Sequence, residues 1–225
     1  MPRAYSSPRR EAEAASTRAA IVAAASTLFQ RDGYAATPLK AIAAEAGVSV
    51  PTVQLQGSKH SLLIAAFEVA FAGDEGTHSL AERPSLAAIM GEPDFATAVS
   101  GYVEFLDEAN HRSAGITRAM AAAADADPAA RAAYDELEQR RHRDMLIAAG
   151  WFASRDRIPG DRIPEAADVL GYVTGADAYL HFTRASGWSR ERWRAWTSHQ
   201  LTHLATLLPD PEDAPARADG GVGAR

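Results

Sequence analysis

The sequence predicts an all-α protein in two parts, a head of short N-terminal helices followed by a larger body of long ones. Three observations predict it. Apolar residues recur at spacings of three and four, early in Ile21, Ala25 and Leu28 and late in Trp193, Trp196, Leu204 and Leu207, which lays an apolar stripe along a helix. Alanine dominates the composition, and Ala, Leu, Arg and Glu are strong helix formers. No run alternates apolar and polar residues between turn signals, as a half-buried strand would.

Punctuation places the helices in order. The first runs from about Ser16 to Arg31 and stops at Gly33, which suits the left-handed conformation that closes helices. Thr37 caps a second helix with Pro38 at its first position, where a missing N–H costs nothing, and Gly47 ends it just past Ala46. Ser49 caps a third short segment, Val50 to about Gln56, and Ser58 caps a fourth that runs to about Gly73. The turn-rich stretch from Gly73 to Pro93 forms a joint. Body helices follow at about Asp94–His111, Ser113–Ala124, Pro128–Ser154, Pro164–Ser186 and Ser189–Leu208. Residues 1–14 read as a disordered arm and 209–225 as a disordered tail, since neither buries enough apolar surface to fold. The expected organisation is therefore arm 1–14, head 15–73, body 74–208 and tail 209–225. No internal repeat is present.

Charge separates the two parts. The first 60 residues hold seven basic and four acidic residues, against 16 and 25 in the remaining 165, for a formal net charge of −6 overall. A basic head suits a polyanion that an acidic body would repel. The chain has no cysteine, which excludes disulfide scaffolds, thiolate zinc sites and a cysteine nucleophile. The first residues lack the apolar core of a secretory signal. The apolar stretch Leu62–Phe67 is broken by Glu68, far short of a membrane span. A cytoplasmic location is the expectation.

The informative segment is Thr37 to Lys59. Two short capped helices meet through Ala46-Gly47-Val48-Ser49. A steep helix crossing needs a sharp turn, supplied by Gly47, and a small residue at the contact, supplied by Ala43. Ile42, Val48 and Val53 then face the core, leaving Val50, Pro51, Thr52 and Gln54 outward. A second helix of this kind lies in the DNA major groove with its first turn at the base edges. Ser49 and Thr52 donate hydrogen bonds, and Gln54 suits a base edge or a phosphate. Lys59 opens the fourth helix, where its charge and the free N–H groups suit a phosphate.

Residues 17–68 resemble the DNA-binding head of the TetR-type (tetracycline-repressor-like) transcriptional regulators. The resemblance rests on Ile21 and Ala24-Ala25, Leu28-Phe29, Gly33-Tyr34, Ala36-Thr37, Ile42-Ala43, Ala46-Gly47-Val48-Ser49, Thr52-Val53, Gly57-Ser58-Lys59 and Leu62-Leu63. It implies an all-helical homodimer whose C-terminal body binds a small molecule and dimerises through its last two long helices, here Pro164–Ser186 and Ser189–Leu208. One departure stands out. The family runs from Thr-Val through an aromatic, two variable residues and another aromatic to Gly-Ser-Lys. Here Thr52-Val53 is followed by Gln54-Leu55-Gln56 and then Gly57-Ser58-Lys59, one residue short and without aromatics. Val53 then finds Gln56 and Gly57 where it wants an apolar partner, and Leu55 fills that gap only if the third helix ends early or unwinds.

These readings give candidate DNA-binding residues Thr37, Lys40, Ser49, Val50, Pro51, Thr52, Gln54, Ser58 and Lys59. Candidate ligand-binding residues are Tyr102, Phe105, Met120, Tyr134, Met145, Trp151, Tyr172 and Tyr179, aromatic and methionine side chains of the middle helices that suit an apolar pocket and equally suit plain core packing. Arg3, Arg9 and Arg10 form a possible groove-reaching arm. His199 and His203 have metal-ligand spacing but sit beside Trp196 and Leu207, as an interface or solvated face would. The stripe Trp193, Trp196/Thr197, Gln200/Leu201, Leu204 and Leu207/Leu208 suits half of a four-helix dimer bundle or a face packed within one subunit. No nucleophile elbow, phosphate loop or zinc-protease motif occurs, and no catalytic residue, metal or cofactor is expected. The expected function is a ligand-responsive DNA-binding regulator, a repressor released from a palindromic operator by an unidentified small molecule, with double-stranded DNA and a second copy of the chain as partners and no membrane. The alternative is a helical ligand-binding dimer that has lost specific DNA binding.

Overall fold

The computed structural model describes residues 8–76 and 83–208, and among them no strand occurs. The helices are α1 (Pro8–Asp32), α2 (Leu39–Glu45), α3 (Val50–Gln56), α4 (Lys59–Ala72), α5 (Pro84–Gly91), α6 (Phe95–Ala126), α7 (Pro128–Ser154), α8 (Ile163–Val173), α9 (Ala176–Leu180) and α10 (Arg190–Thr202). A π turn, His181–Ala185, extends α9, and a 3-10 turn, Leu204–Leu207, follows α10.

Local chemistry explains the boundaries. Side-chain caps start α3, α4, α6, α7 and α10 at Ser49, Ser58, Asp94, Asp127 and Ser189, each accepting a backbone N–H of the first turn. Several boundaries differ from the sequence expectation. α1 begins at Pro8, so residues 8–14 are helical and not part of a disordered arm. Its first turns present Arg9 and Glu13 as an exposed i,i+4 pair at 2.9 Å. Arg3 and the tail 209–225 lie outside the described residues.

The second difference is at Ser113, where a new helix was expected and α6 instead runs straight through. Ser113 is buried mid-helix and caps nothing, while its neighbour Arg112 reaches sideways to the last carbonyls of α4, Ala70 O at 3.0 Å and Phe71 O at 3.2 Å. The third is the expected helix Pro164–Ser186, which breaks between Val173 and Ala176. The buried Asn110 amide donates to the Thr174 carbonyl at 3.1 Å, and Arg141 donates to that of Gly171, so these two carbonyls at the break are satisfied by side chains. The expected joint also contains a helix, α5, with Pro84 at its first turn and Leu86 buried. Its signal was legible: a Pro start followed by Leu86, Ile89 and Met90 at helical spacing.

One core runs from head to body. Ile21, Val22, Leu28 and Phe29 of α1, Ile42 of α2, Val53 of α3 and Leu62 and Leu63 of α4 join Ile116, Met120 and Ala123 of α6 and Leu137 of α7 in a single buried cluster. A second cluster fills the far end of the body around Val103, Leu106, Phe152, Leu170, Trp193 and Leu201. α4 is apolar on nearly every side and lies against α1, α6 and α7. Head and body therefore share buried surface, although the charge balance separates them.

All four tryptophans lie in the body, so tryptophan fluorescence reports on the body alone. Ile42→Ala in the head removes a fully buried side chain, at a cost of about 2–5 kcal/mol. A denaturant titration followed by tryptophan fluorescence should show one transition at a lower midpoint than wild type. An unchanged midpoint would show that the head unfolds independently.

Candidate nucleic-acid interface and body cavity

The head geometry follows from the turn between α2 and α3. Ile42 and Ala43 are buried under it, and the Val48 N–H donates to the Ala43 carbonyl at 2.9 Å. Gly47 has φ +68°, the left-handed conformation that glycine adopts without strain. Ser49 Oγ accepts the Thr52 N–H at 3.3 Å and lies 2.7 Å from Thr52 Oγ1, so these two hydroxyls fix the first turn of α3. Val53 is fully buried and fills the head core without Leu55. Ser49, Pro51 and Gln54 are exposed, with Val50 and Thr52 half-buried beside them. Lys40 is exposed on α2.

Thr37 is corrected. It is 1 % exposed, it does not cap α2, and its hydroxyl donates to the Gly33 carbonyl at 2.8 Å. Its role is to tie the end of α1 to the start of α2, and it has no surface to offer DNA.

The far end of α3 resolves the missing residue. The helix does not end early: it continues to Gln56, and Gly57 turns the chain at φ +139°, where an added Cβ would lie 2.4 Å from Ser61 Oγ. Leu55 is 85 % exposed, so it does not fill the gap left by the absent aromatics. The orphaned Gln56 carbonyl is instead taken by the Arg18 guanidinium, which also pairs with Glu75 at 2.6 Å. Arg18 thus replaces apolar packing with a charge-assisted hydrogen bond at the end of α3. Sequence reasoning missed Arg18, because nothing in its own helix signals a partner thirty-eight positions away.

At the start of α4, Ser58 accepts the Ser61 N–H at 3.2 Å and its hydroxyl lies 2.9 Å from His60 Nε2. Lys59 Nζ sits 4.2 Å from the centre of the Tyr34 ring, and partial burial pulls its pKa below the ordinary lysine range, against the attraction of Asp127. The Tyr34 hydroxyl donates to Asp127 Oδ2 at 2.9 Å. Burial first, and that hydrogen bond second, push the Tyr34 phenol above its usual range. The same bond and the capped N–H groups of α7 hold the Asp127 carboxyl below the ordinary carboxylate range. Lys59 is thereby seated on a rigid platform that joins head to body.

The body holds a cavity of about 290 Å³ between α4, α6 and α7, with Tyr102, Met120, Tyr134 and Met145 of the expected ligand residues on its wall. A neighbouring hollow of about 500 Å³ shares Tyr134 and Met145 and adds Tyr172, which is 73 % exposed. The remaining expected residues lie elsewhere. Phe105 packs edge-on against Phe71. Trp151 lines a separate gap of about 50 Å³ and donates to the Met90 carbonyl at 2.8 Å. Tyr179 is buried edge-on against Trp193, with ring centres 4.9 Å apart. Phe105 and Tyr179 line none of these cavities, and Trp151 lines only the smallest.

The late apolar stripe is divided as well. Trp193, Thr197, Leu201 and Leu204 are buried inside the subunit's own core, while Trp196 and Gln200 remain half-buried. Phe182 stacks on Trp188 at 4.3 Å and meets Trp196 at 4.5 Å, an aromatic group on the outer side of α9 and α10. The rings of His199 and His203 stack at 4.4 Å, and among the described residues no group of three potential ligands could hold a metal ion. No described helix is long and apolar enough to cross a membrane.

Comparison with known proteins agrees with this geometry. Residues 21–66 match the family model for bacterial regulatory proteins of the tetR family. A structure from Pseudomonas aeruginosa PAO1, assigned as a transcriptional regulator, superposes with a TM-score of 0.65 at 15% identity over 84% of this chain and 90% of its own. A protein of Mesorhizobium loti MAFF303099, assigned to the TetR family of transcriptional regulators, superposes with a TM-score of 0.62 at 18% identity, over 86% and 97% respectively. No curated protein matches the chain.

If Arg18 holds the end of α3, Arg18→Ala should speed amide hydrogen exchange at residues 53–56 by about tenfold, while α7 keeps its protection. Unchanged exchange in α3 would remove Arg18 from that role. Residues 21–66 thus match the N-terminal domain model of the tetR family of bacterial regulatory proteins, and the chain has the fold of those two structures.

Proposed function

We propose that the protein is a ligand-responsive, DNA-binding transcriptional regulator of the cytoplasm. It acts as a homodimeric repressor that a small molecule releases from a palindromic operator. The observation that carries this reading is the capped α3, whose first turn stands open to solvent beside Lys59 at the head of α4. Val50, Pro51, Thr52 and Gln54 then meet base edges in the major groove. Lys59, Ser58, Ser49 and Lys40 meet the phosphates. Phosphate contacts supply most of the affinity, which falls steeply with salt. The outer aromatic group of Phe182, Trp188 and Trp196, together with the exposed Tyr172, supports pairing of two copies along α8, α9 and α10. The cavity beside α4 supports the effector role, because α4 touches both the cavity and the head. An effector shifts the equilibrium only by its preference for one of the two states.

One observation favours a second reading. Gln54 stands where the family has an aromatic, and Leu55 beside it is a bare apolar side chain on the same helix. A head altered in this way fits a ligand-binding dimer without specific DNA recognition.

Fluorescence anisotropy of labelled random duplex across a salt series separates the two readings. The regulator reading expects binding at low salt that weakens log-linearly as salt rises, and the absence of salt-dependent binding supports the second reading. Lys59→Ala should weaken binding to every duplex about equally and reduce the salt slope by about one. A changed sequence preference would contradict its phosphate role. Gln54→Ala should alter operator affinity or preference by about 1–3 kcal/mol with the dimer intact, as read by the same titration and by light scattering. Unchanged operator binding would place α3 outside the groove.

A further inference from the structure

The cavity beside α4 has a chemical bias. Its walls are largely apolar, with Phe67, Phe71, Leu106 and Met120 among them, and a salt-bridged pair crosses one side. Both terminal nitrogens of Arg140 on α7 donate to Glu68 Oε1 on α4 at 3.0 Å, with side chains only 19% and 14% exposed. Glu68 Oε2 accepts the Gly76 N–H at 3.1 Å, so both carboxylate oxygens are occupied.

The unmet groups lie on the other side of the ledger. Arg140 Nε, Arg83 Nε and Ser113 Oγ are buried at the cavity wall without a hydrogen-bond partner. The acids that line the cavity offer nothing in exchange. Glu68 is doubly occupied, Glu138 faces Arg141 at 3.4 Å and Asp144 is not free. A buried donor left unmet is costly, and the site is therefore short of an acceptor and not of a cation. Arginine is also the side chain best shaped for a planar carboxylate.

We propose that this cavity binds an amphipathic carboxylate, its apolar body among Phe67, Phe71, Leu106 and Met120 and its carboxylate on Arg140, whose unmet Nε it takes in competition with Glu68 for the guanidinium. The proposal rests on the reading of the cavity as the effector site. The volume of about 290 Å³ is roughly twice the 150 Å³ that encloses a benzene ring, which sets the apolar body at about two fused rings. The consequence for the head is direct. When the ligand takes Arg140, Glu68 loses its partner on α7, and Glu68 sits on the same helix that Lys59 begins.

The test compares three probes of one shape by titration calorimetry on the full chain: 2-naphthoate, neutral 2-naphthamide and cationic 2-naphthylmethylammonium. The proposal expects 2-naphthoate to bind at least tenfold tighter than either of the others. Arg140→Gln should erase that preference. Glu68→Gln, which removes the competing carboxylate, should tighten 2-naphthoate several-fold, a gain that a folding defect does not produce. Equal or tighter binding of the amide or the cation, or a preference that survives Arg140→Gln, overturns the carboxylate assignment and leaves the effector site standing. Binding of none of the three overturns both.

Discussion

The structure depends on the burial of α4. Leu62, Leu63, Ala65 and Ala66 are all withdrawn from water, and they are withdrawn by different neighbours, α1 on the head side and α6 and α7 on the body side. A helix apolar on nearly all sides has no stable position at a surface. It must be enclosed, and enclosing it welds two parts of opposite charge balance into one core. The ends of α4 are fixed separately. Ser58 and the Tyr34–Asp127 contact hold its start, and Arg112 and Arg83 take the carbonyls of its last turn, Ala70, Phe71 and Ala72. The first residue of α4 is Lys59, proposed above for a phosphate, and its C-terminal half, through Phe67, Glu68 and Phe71, lines the cavity. In the proposed function, α4 is thus the element that both the cavity and the head touch.

The interface at α3 shows how a shortened motif is kept in shape. The absent aromatics remove apolar mass from the end of the helix, and the fold does not replace it with Leu55. It uses Arg18 from α1 and Glu75 from beyond α4 to hold the last carbonyl. A packing contact has been exchanged for a polar one, which is directional and screened by salt. This arrangement leaves Leu55 on the outside, where an apolar side chain has only solvent or a partner to touch.

Much of this was legible in the sequence, and the particular successes share a cause. Ser49, Ser58, Asp94 and Ser189 cap helices because capping is a local bond between a side chain and an N–H two or three residues on. The steep turn at Gly47 was legible for the same reason. The failures depend on distant partners. Thr37 carries the signature of a cap, but burial against α1 turned its hydroxyl to the Gly33 carbonyl. The helix expected to run from Pro164 to Ser186 has one local break signal, Gly175, which precedes α9; the bonds from Asn110 and Arg141 that settle the break there come from residues only the fold brings near. The cavity residues were half legible. Tyr102, Met120, Tyr134 and Met145 share their type with Phe105 and Tyr179, and composition cannot separate a wall from a core.

The central claim is that α3 reads sequence in a double helix as one half of a two-fold pair. Selection of bound duplexes from a random pool with purified protein tests it most directly. The account predicts enrichment of a two-fold symmetric site whose halves lie about one helical turn, or a multiple of it, apart. A pool that stays random after repeated selection, while the protein remains folded, would contradict it.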